Sequence, residues 1–233
     1  MESRTGVIAV VPMKPLSSSK TRLARQLTGQ ERADLTIGML RWVLRAAQRE
    51  VDACWIVGGD DRVRELAVEL GVLWKEDLGR DLNETLSLAF QDVFAQGKSA
   101  LYLAGDLPFL KPADVHNMLQ SSRRNTNITL SPARKDNGTN AILVPAGLPF
   151  HPELGPRSFS RHLAQSARLG VSVAMCYSPG LGFDLDTFDD LETYEGMEPG
   201  LLARLAPQWD PASSGLPPGF PPKPLFPTRS RCG

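Results

Sequence analysis

Short apolar segments alternate with amphipathic segments through most of the chain, and this alternation limits the fold more than any other feature. Apolar runs typical of buried strands occur at 7–12, 53–57, 100–104, 141–144 and 171–176. Segments with helical periodicity separate them, at about 29–49, 61–70, 82–94, 112–120 and 158–168. Strands that alternate with helices predict an α/β fold, a mainly parallel sheet with helices on both faces.

One part of the pattern departs from this alternation. Strand-like segments at about 128–131 and 141–144 flank a turn that contains Asn137 and Gly138, which predicts a hairpin. We therefore expect a three-layer fold whose sheet contains an antiparallel insertion late in the chain. In folds of this class ligands bind at the carboxyl ends of the strands, so polar residues that follow the apolar runs are the first candidates for a site.

The composition predicts one domain, residues 1–205, followed by a Pro-rich tail, residues 206–233. The tail has neither strand nor helix periodicity, so we expect it to add little to the core. The alternative is that its large apolar side chains dock on the domain or on a second subunit. They are Trp209, Phe220, Leu225 and Phe226.

Charge and cysteine content exclude several classes of protein. The 26 basic and 26 acidic residues balance, so no general attraction to nucleic acid or anionic membrane is expected. No apolar run approaches the roughly 20 residues of a membrane span, and no hydrophobic leader precedes the first strand. The 3 cysteines are too scattered for a disulfide framework or a zinc site. We expect a cytoplasmic protein.

A basic loop follows the first apolar run. Residues 3–30 contain no Asp or Glu but carry Lys14, Lys20 and Arg22 around three consecutive serines at 17–19. Small residues let backbone N–H groups approach phosphate oxygens, and the cations neutralise their charge. The alternative is a solvated basic loop, but its position at a strand's carboxyl end favours a polyphosphate site.

Three carboxylates also follow apolar runs. Asp106 comes just after the run at 100–104, and Asp184 and Asp186 form an Asp-x-Asp pair in which both side chains point the same way if extended. Each alone is explained equally well as a helix cap. Together with the basic loop they suggest a Mg²⁺ site whose other ligands are phosphate oxygens.

Two later turns suggest a second anion pocket. The hairpin turn at 134–140 includes Thr139, and the segment 154–159 leads through Ser158 into a helix N-terminus. Each is an ordinary turn or cap when considered singly. Other sites are excluded: Lys14 and Ser19 replace the glycines of a Walker A motif, Gly58-Gly59 lacks the dinucleotide-binding spacing, and the 3 histidines show no metal-ligand spacing.

The chain resembles the 2-phospho-L-lactate guanylyltransferases of deazaflavin (coenzyme F-420) biosynthesis. The resemblance is carried, in collinear order, by VPMKPLSSSKTRL at 11–23, LNETL at 82–86, GDLP at 105–108, DNGTNAIL at 136–143, GPRSFSRH at 155–162 and GFDLDT at 182–187. It covers nearly everything from Val7 to about Leu205, and the combination of motifs is specific although no single motif is.

The resemblance implies a nucleotidyltransferase fold of the glycosyltransferase A type and a reaction of GTP with a small three-carbon phospho-acid. It implies Mg²⁺ held by Asp106, Asp184 and Asp186, and triphosphate contacts from Lys14, Lys20 and Arg22. It also implies a guanine pocket that includes Asn83. The residues expected to bind the acceptor are Thr139, Asn140, Gly155 and Ser158.

Three alternatives stay open. The nucleotide or the acceptor could differ within the same fold, or the domain could bind a nucleotide without catalysis. Nothing in the sequence separates 2-phospho-L-lactate, phosphoenolpyruvate and 3-phosphoglycerate, and the sequence leaves a homodimer open. The absence of a placed His or Cys agrees with a phosphate nucleophile, which needs no general base because its second pKa is about 6.

Overall fold

The computed structural model describes residues 6–122, 126–209, 216 and 220, and one mixed sheet runs through it. The strands are β1 (Val7–Met13), β2 (Ala53–Gly58), β3 (Leu73–Lys75), β4 (Ser99–Leu103), β5 (Ile128–Pro132), β6 (Thr139–Val144) and β7 (Val173–Met175). Their order in the 7-stranded sheet is β3-β2-β1-β4-β6-β5-β7. Only β6 is antiparallel to its neighbours within this sheet, which confirms the predicted parallel sheet with an antiparallel insertion.

Helices cover both faces of the sheet. They are α1 (Gly29–Ala47), α2 (Asp61–Leu70), α3 (Leu82–Phe94), α4 (Pro112–Ser121), α5 (Ser158–Arg168), α6 (Pro179–Gly182), α7 (Phe188–Met197) and α8 (Leu201–Leu205). Helices α1, α2 and α4 pack on one face, and α3 and α5 pack on the other. Alternate residues of β1 pack on opposite faces of the sheet, since Ala9 and Val11 face α1 whereas Ile8 and Val10 face α3. The three layers follow from this alternation.

Local sequence signals set most helix starts. The spacing Thr28-x-x-Glu31 predicts a capping box, and it is present: the Thr28 hydroxyl accepts from the Glu31 N–H, and the Glu31 carboxylate accepts from the Thr28 N–H. Pro112 occupies the first turn of α4, where its missing N–H costs nothing. No described helix is both long and apolar enough to cross a membrane.

The spacing Asp81-x-x-Glu84 predicts a second capping box at the start of α3, but only half of it forms. Asp81 caps the helix by accepting from the N–H groups of Asn83 and Glu84, as expected. The Glu84 carboxylate does not accept from the Asp81 backbone N–H, however. It accepts instead from the backbone N–H and the guanidinium of Arg80. A charged neighbour thus competes successfully for the carboxylate, because a bond from a guanidinium is charge-assisted.

The C-terminal segment builds a third apolar cluster against α1. Leu201, Leu202, Leu205 and Ala206 are buried in it, and Trp209, Leu216 and Phe220 pack against it. The Phe220 ring lies 5.8 Å from that of Phe188. Our expectation that residues from 206 onward add little to the core is therefore wrong for these side chains. Leu225 and Phe226 lie outside the described residues, and the domain boundary at 205 stays a prediction.

Truncation after Leu205 should consequently lower stability. Loss of Ala206 together with the packed Trp209, Leu216 and Phe220 removes apolar contacts worth a few kcal/mol. In a chain of this size that corresponds to a drop of about 5 °C or more in the melting midpoint. Differential scanning calorimetry measures it, with truncation after Phe220 as the control, which keeps these contacts; equal midpoints for the two truncations would contradict the prediction.

Candidate active site

A cleft of about 470 Å³ opens at the carboxyl ends of β1 and β4, where the sequence placed the site. One end contains the basic loop and two of the predicted carboxylates. The lining residues at this end include Lys14, Ser18, Ser19, Lys20, Asp106 and Asp186. The site residues thus come from three segments distant in sequence, because parallel strands bring their carboxyl ends to the same edge of the sheet.

Lys20 is the centre of this arrangement. The Lys20 backbone adopts a left-handed conformation (φ 51°), which is uncommon outside glycine. Its ammonium donates to Asp106 Oδ2 at 2.6 Å and to Asp186 Oδ1 at 2.8 Å, and only 7% of its side chain is exposed. Burial alone would lower the pKa of Lys20, but attraction from Asp106 and Asp186 outweighs it, so the pKa lies above its ordinary value.

The other two predicted cations are accessible. Lys14 is exposed and lines the cleft. The Arg22 side chain is 72% exposed, and its Nη1 lies 3.7 Å from Asp186 Oδ2. An exposed pair at this distance contributes little to stability. Both cations are therefore free to turn toward an incoming polyanion.

The three predicted carboxylates lie close together but differ electrostatically. Burial raises the pKa of Asp184, and the charge of Asp106 raises it further. Burial would also raise the pKa of Asp186, but attraction from Lys20 and Arg22 outweighs it, so that pKa lies below its ordinary value. Asp186 is thus paired with Lys20 and Arg22, whereas within the described residues no cation forms an ion pair with Asp184.

These carboxylates fit a Mg²⁺ ion in part. Among the described residues, no three His, Cys, Asp or Glu side chains are arranged to hold a metal ion by themselves. Mg²⁺ commonly takes only one or two protein carboxylates and completes its octahedron with phosphate oxygens and water. Asp106 and Asp184 supply such a pair, and their mutual repulsion is what a divalent cation would relieve. The predicted role of Asp186 as a third ligand stays a prediction.

Residues around the Asp-x-Asp pair fix its backbone. The N–H groups of Asp186 and Thr187 donate to Asp190 Oδ2 at 3.0 and 2.9 Å, and Lys135 pairs with the same carboxylate. The Tyr194 hydroxyl donates to the Asp184 carbonyl at 3.1 Å. The sequence analysis did not single out Asp190, although the spacing Thr187-x-x-Asp190 is that of a capping box.

Asn140 supports the same segment. Its Nδ2 donates to the Leu181 carbonyl at 3.0 Å and lies 3.4 Å from Asp184 Oδ1. Asn140 is buried, and the contact orients the Asp184 carboxylate. Its predicted contact with the acceptor stays a prediction.

Two of the predicted acceptor residues form a buried polar chain. Ser158 Oγ donates to Thr139 Oγ1 at 3.0 Å, and Thr139 Oγ1 lies 3.0 Å from Nδ1 of His162. The Glu153 N–H donates to His162 Nε2 at 2.9 Å. Gly155 has φ 114°, which favours glycine, and its carbonyl accepts from the Ser158 N–H. The structure therefore brings Thr139, Gly155 and Ser158 together, as predicted, and buries Thr139 and Ser158 within a shared network.

His162 should make the protein acid-sensitive. Burial, with a smaller contribution from the charge of the nearby Arg161, lowers its pKa to about 4. Because the folded pKa lies below the ordinary 6.5, the stability that neutral His162 contributes is complete above pH 6.5 and is lost as pH falls toward 4. We expect the free energy of unfolding to fall by up to about 1.4 kcal/mol per pH unit in this window.

Urea titrations at several pH values test this expectation. His162→Gln should flatten the dependence between pH 6.5 and 4, whatever its effect on stability at neutral pH. His116→Gln is the matched control, because His116 is half-exposed on α4. An unchanged slope in the His162 variant would contradict the assignment.

The Asn83 side chain does not line the cleft and bonds to Leu154 instead. Its Oδ1 accepts from the Leu154 N–H at 2.6 Å, and its Nδ2 donates to the Leu154 carbonyl at 3.3 Å. It is not among the residues that line the cleft, whereas its neighbours Leu82 and Thr85 are. Its side chain thus joins α3 to the segment before Gly155, and its role in a guanine pocket stays a prediction.

Sequence reasoning missed the far end of the cleft. Its lining comes from the segment between β3 and α3, with Asp77, Gly79, Arg80 and Asp81, and from the first turn of α3, with Leu82 and Thr85. Asp77 Oδ1 accepts from the Gly79 N–H and the Thr85 hydroxyl, which folds this segment over the sheet. The available signal was position, since the segment follows the carboxyl end of β3.

A second hollow of about 600 Å³ lies beside the hairpin turn. Arg134 and Asn137 from the turn and Phe159 from α5 line it, so the two segments predicted to share an anion pocket do meet. The Arg134 guanidinium lies 4.6 Å from the centre of the Phe183 ring, and most of the wall is apolar. The expectation that this hollow binds an anion stays a prediction.

Comparisons with known proteins agree with the geometry. Residues 7–195 match the family described as "Guanylyl transferase CofC like". A phosphoenolpyruvate guanylyltransferase of Sphaerobacter thermophilus is 37% identical over 195 residues, which cover 82% of this chain and 94% of that protein. A 2-phospho-L-lactate guanylyltransferase of Methanothermobacter thermautotrophicus is 31% identical over 184 residues, which cover 78% and 81%.

A solved structure shows the same fold. The crystal structure of a putative nucleotide-diphospho-sugar transferase from Desulfovibrio desulfuricans superposes with a TM-score of 0.70 at 18% identity, covering 88% of this chain and 98% of that one. At this identity the likeness concerns the fold alone. It confirms the predicted three-layer nucleotidyltransferase architecture.

Proposed function

The chain belongs to the CofC-like guanylyl transferase family, and on this premise we propose that it moves GMP from GTP to the phosphate of a three-carbon phospho-acid. Pyrophosphate is the second product. We propose phosphoenolpyruvate as the first acceptor to test, because a relative of that name aligns over most of both chains. The alternatives are 2-phospho-L-lactate and 3-phosphoglycerate, and the product would serve coenzyme F-420 biosynthesis.

One observation carries the proposal. A buried lysine is held between two carboxylates at the carboxyl ends of β1 and β4, beside a basic loop that lines a cleft of about 470 Å³. Such a site places Lys14, Lys20 and Arg22 in or beside the cleft where a triphosphate would lie and keeps carboxylates within reach of its counter-ion. This is the arrangement that nucleotidyl transfer needs, because the main barrier is the approach of two anions.

The residues of the chain neutralise and position the substrates. Lys14, Lys20 and Arg22 would contact the triphosphate, and Asp106 and Asp184 would hold Mg²⁺. When bound, Mg²⁺ would supply charge neutralisation at the phosphates. The acceptor phosphate is mostly dianionic at neutral pH because its second pKa is about 6, so it needs no general base.

The acceptor would lie near the buried chain of Thr139 and Ser158, close to Gly155 and Asn140. The support for this placement is that Asn140 contacts Asp184 and that Thr139 directly precedes Asn140 at the start of β6. The guanine would occupy the far end of the cleft, which α3 lines just beside Asn83.

A pyrophosphate-release assay across four nucleoside triphosphates and the three acids tests the proposal. We expect release with GTP and one of the acids, and a phosphorus spectrum of the product that shows a new phosphoanhydride. Release with another nucleotide or acid would reassign the substrate within the fold. Release with none of the pairs, in a folded protein that binds GTP, would favour a nucleotide-binding domain without catalysis.

A further inference from the structure

Side chains from two other elements hold the basic loop at both ends of one short turn. The turn is Leu16–Ser18, and Lys20 follows it in the left-handed conformation. The Leu16 N–H donates to Asp60 Oδ2 at 2.9 Å. Arg32 Nη1, from the first turns of α1, donates to the Ser19 carbonyl at 2.9 Å. A carboxylate thus holds the start of the turn and a guanidinium holds its end.

The Gly58-Gly59 pair at the end of β2 explains how Asp60 reaches the loop. Both glycines have positive φ, 84° and 89°. A Cβ on Gly58 would lie 2.6 Å from the Met13 carbonyl oxygen, and one on Gly59 would lie 2.6 Å from Val63 Cβ. Only glycine allows this close approach, which turns the chain so that Asp60 lies against the residues that follow β1.

Neither side chain is fully satisfied by its contact. Asp60 Oδ1 and Arg32 Nε are buried and have no hydrogen-bond partner in the part of the chain that the structure describes. Buried polar atoms without partners are costly, so the two residues are not an optimal solution for the stability of the fold. What they do provide is a fixed path for residues 16–19.

We propose that Asp60 and Arg32 are positioning residues that preset the basic loop for a triphosphate. They act through the loop, because neither is among the residues that line the cleft. They fix the turn before Lys20 when the chain folds. The conformational entropy of the loop is therefore already lost before the triphosphate binds, and binding does not have to order the loop. That the triphosphate belongs to GTP rests on the function proposed above.

Four variants and two controls test the proposal. Asp60→Leu and Arg32→Leu remove each contact, and Asp60→Asn and Arg32→Lys retain an acceptor and a donor. Asp61→Leu and Arg45→Leu are matched controls, since both residues are exposed on the same helices, α2 and α1. Isothermal titration calorimetry measures the Kd of inorganic tripolyphosphate, and steady-state kinetics measure KM and kcat for GTP.

We expect each leucine variant to weaken tripolyphosphate binding and raise the KM for GTP by about tenfold or more, the effect of losing one charge-assisted bond. The kcat should change less, the melting midpoint should stay within a few degrees of the wild type, and the conservative variants should recover part of the affinity. A merely structural role would lower the midpoint and leave Kd unchanged.

Three results would overturn the proposal: an unchanged Kd in both leucine variants, equal losses in the two controls, or no binding of tripolyphosphate by the wild type. The experiment distinguishes failure of this proposal from failure of the proposed function. A wild type that binds tripolyphosphate but releases no pyrophosphate with any nucleotide would refute the proposed function, and the comparison of Kd values would still decide the role of Asp60 and Arg32.

Discussion

An Asp106→Asn protein should fold normally and lose nearly all pyrophosphate release. Asp106 binds Lys20 and lies close enough to Asp184 for its charge to raise the pKa of that carboxyl. Without its charge the Lys20 ammonium keeps only one carboxylate partner, Asp186, and positions 106 and 184 together can no longer hold a divalent cation. We expect turnover to fall by about a hundredfold to a thousandfold, as when one preorganised group is lost from an active site.

The fold should survive this change. The side chain of Asp106 is 29% exposed, and its backbone carbonyl still accepts from the Leu185 N–H at 3.1 Å. The substitution also removes the repulsion between Asp106 and Asp184. Asp189→Asn is the matched control, because Asp189 is an exposed aspartate on the neighbouring α7. Normal turnover of Asp106→Asn at saturating magnesium would remove Asp106 from the site.

Replacing Lys20 by methionine should impair the use of GTP by about a hundredfold or more in kcat/KM, an effect comparable to the loss of a buried charge-assisted contact. Lys20 is the one buried cation that links the basic loop to both Asp106 and Asp186 in the described chain. The KM for the acceptor should change much less. Ser158→Ala should show the opposite division, because Ser158 bonds to Thr139 on the acceptor side.

The stability of Lys20→Met should depend on pH in a defined way. Attraction from Lys20 keeps the pKa of Asp186 below its ordinary value of 3.8, so the pair contributes stability above that pH and loses it as the pH falls. The variant should therefore be less stable than the wild type at pH 7, and the difference in stability should stay nearly constant down to pH 3.8 and narrow below it. Thermal unfolding from pH 7 to below pH 3.8 measures this difference in stability.

Steady-state kinetics with each substrate varied in turn test the division between GTP and acceptor. Equal effects of Lys20→Met and Ser158→Ala on both substrates would contradict it.

Much of the fold could be predicted from short-range patterns. The apolar run that forms β1 and the capping box at Thr28 and Glu31 involve residues only a few positions apart, and both are present as expected. The location of the site was predictable in part, because the basic loop and Asp106 follow the ends of β1 and β4, which parallel pairing brings to one edge of the sheet. Asp186 is the exception, since it follows the short helix α6 and not a strand.

Partners distant in sequence were not predictable. Asn83 gives both polar atoms of its amide to Leu154, 71 residues away, and the loop before Lys20 depends on Asp60, 44 residues beyond Leu16. Which of several polar side chains a given N–H meets depends on how whole elements pack. The same limit explains why the packing of Trp209 against the third cluster could not be derived from a Pro-rich composition.

The sequence by itself therefore determined the class of fold, the order of its elements and which strand ends carry charge, since these follow from hydrophobic periodicity and local capping. Tertiary structure decided the electrostatics of the site. Asp184 and Asp186 are two residues apart and chemically identical, yet the pKa of one is raised and that of the other lowered. The reason is that Lys20, 166 residues from Asp186, lies against only one of them.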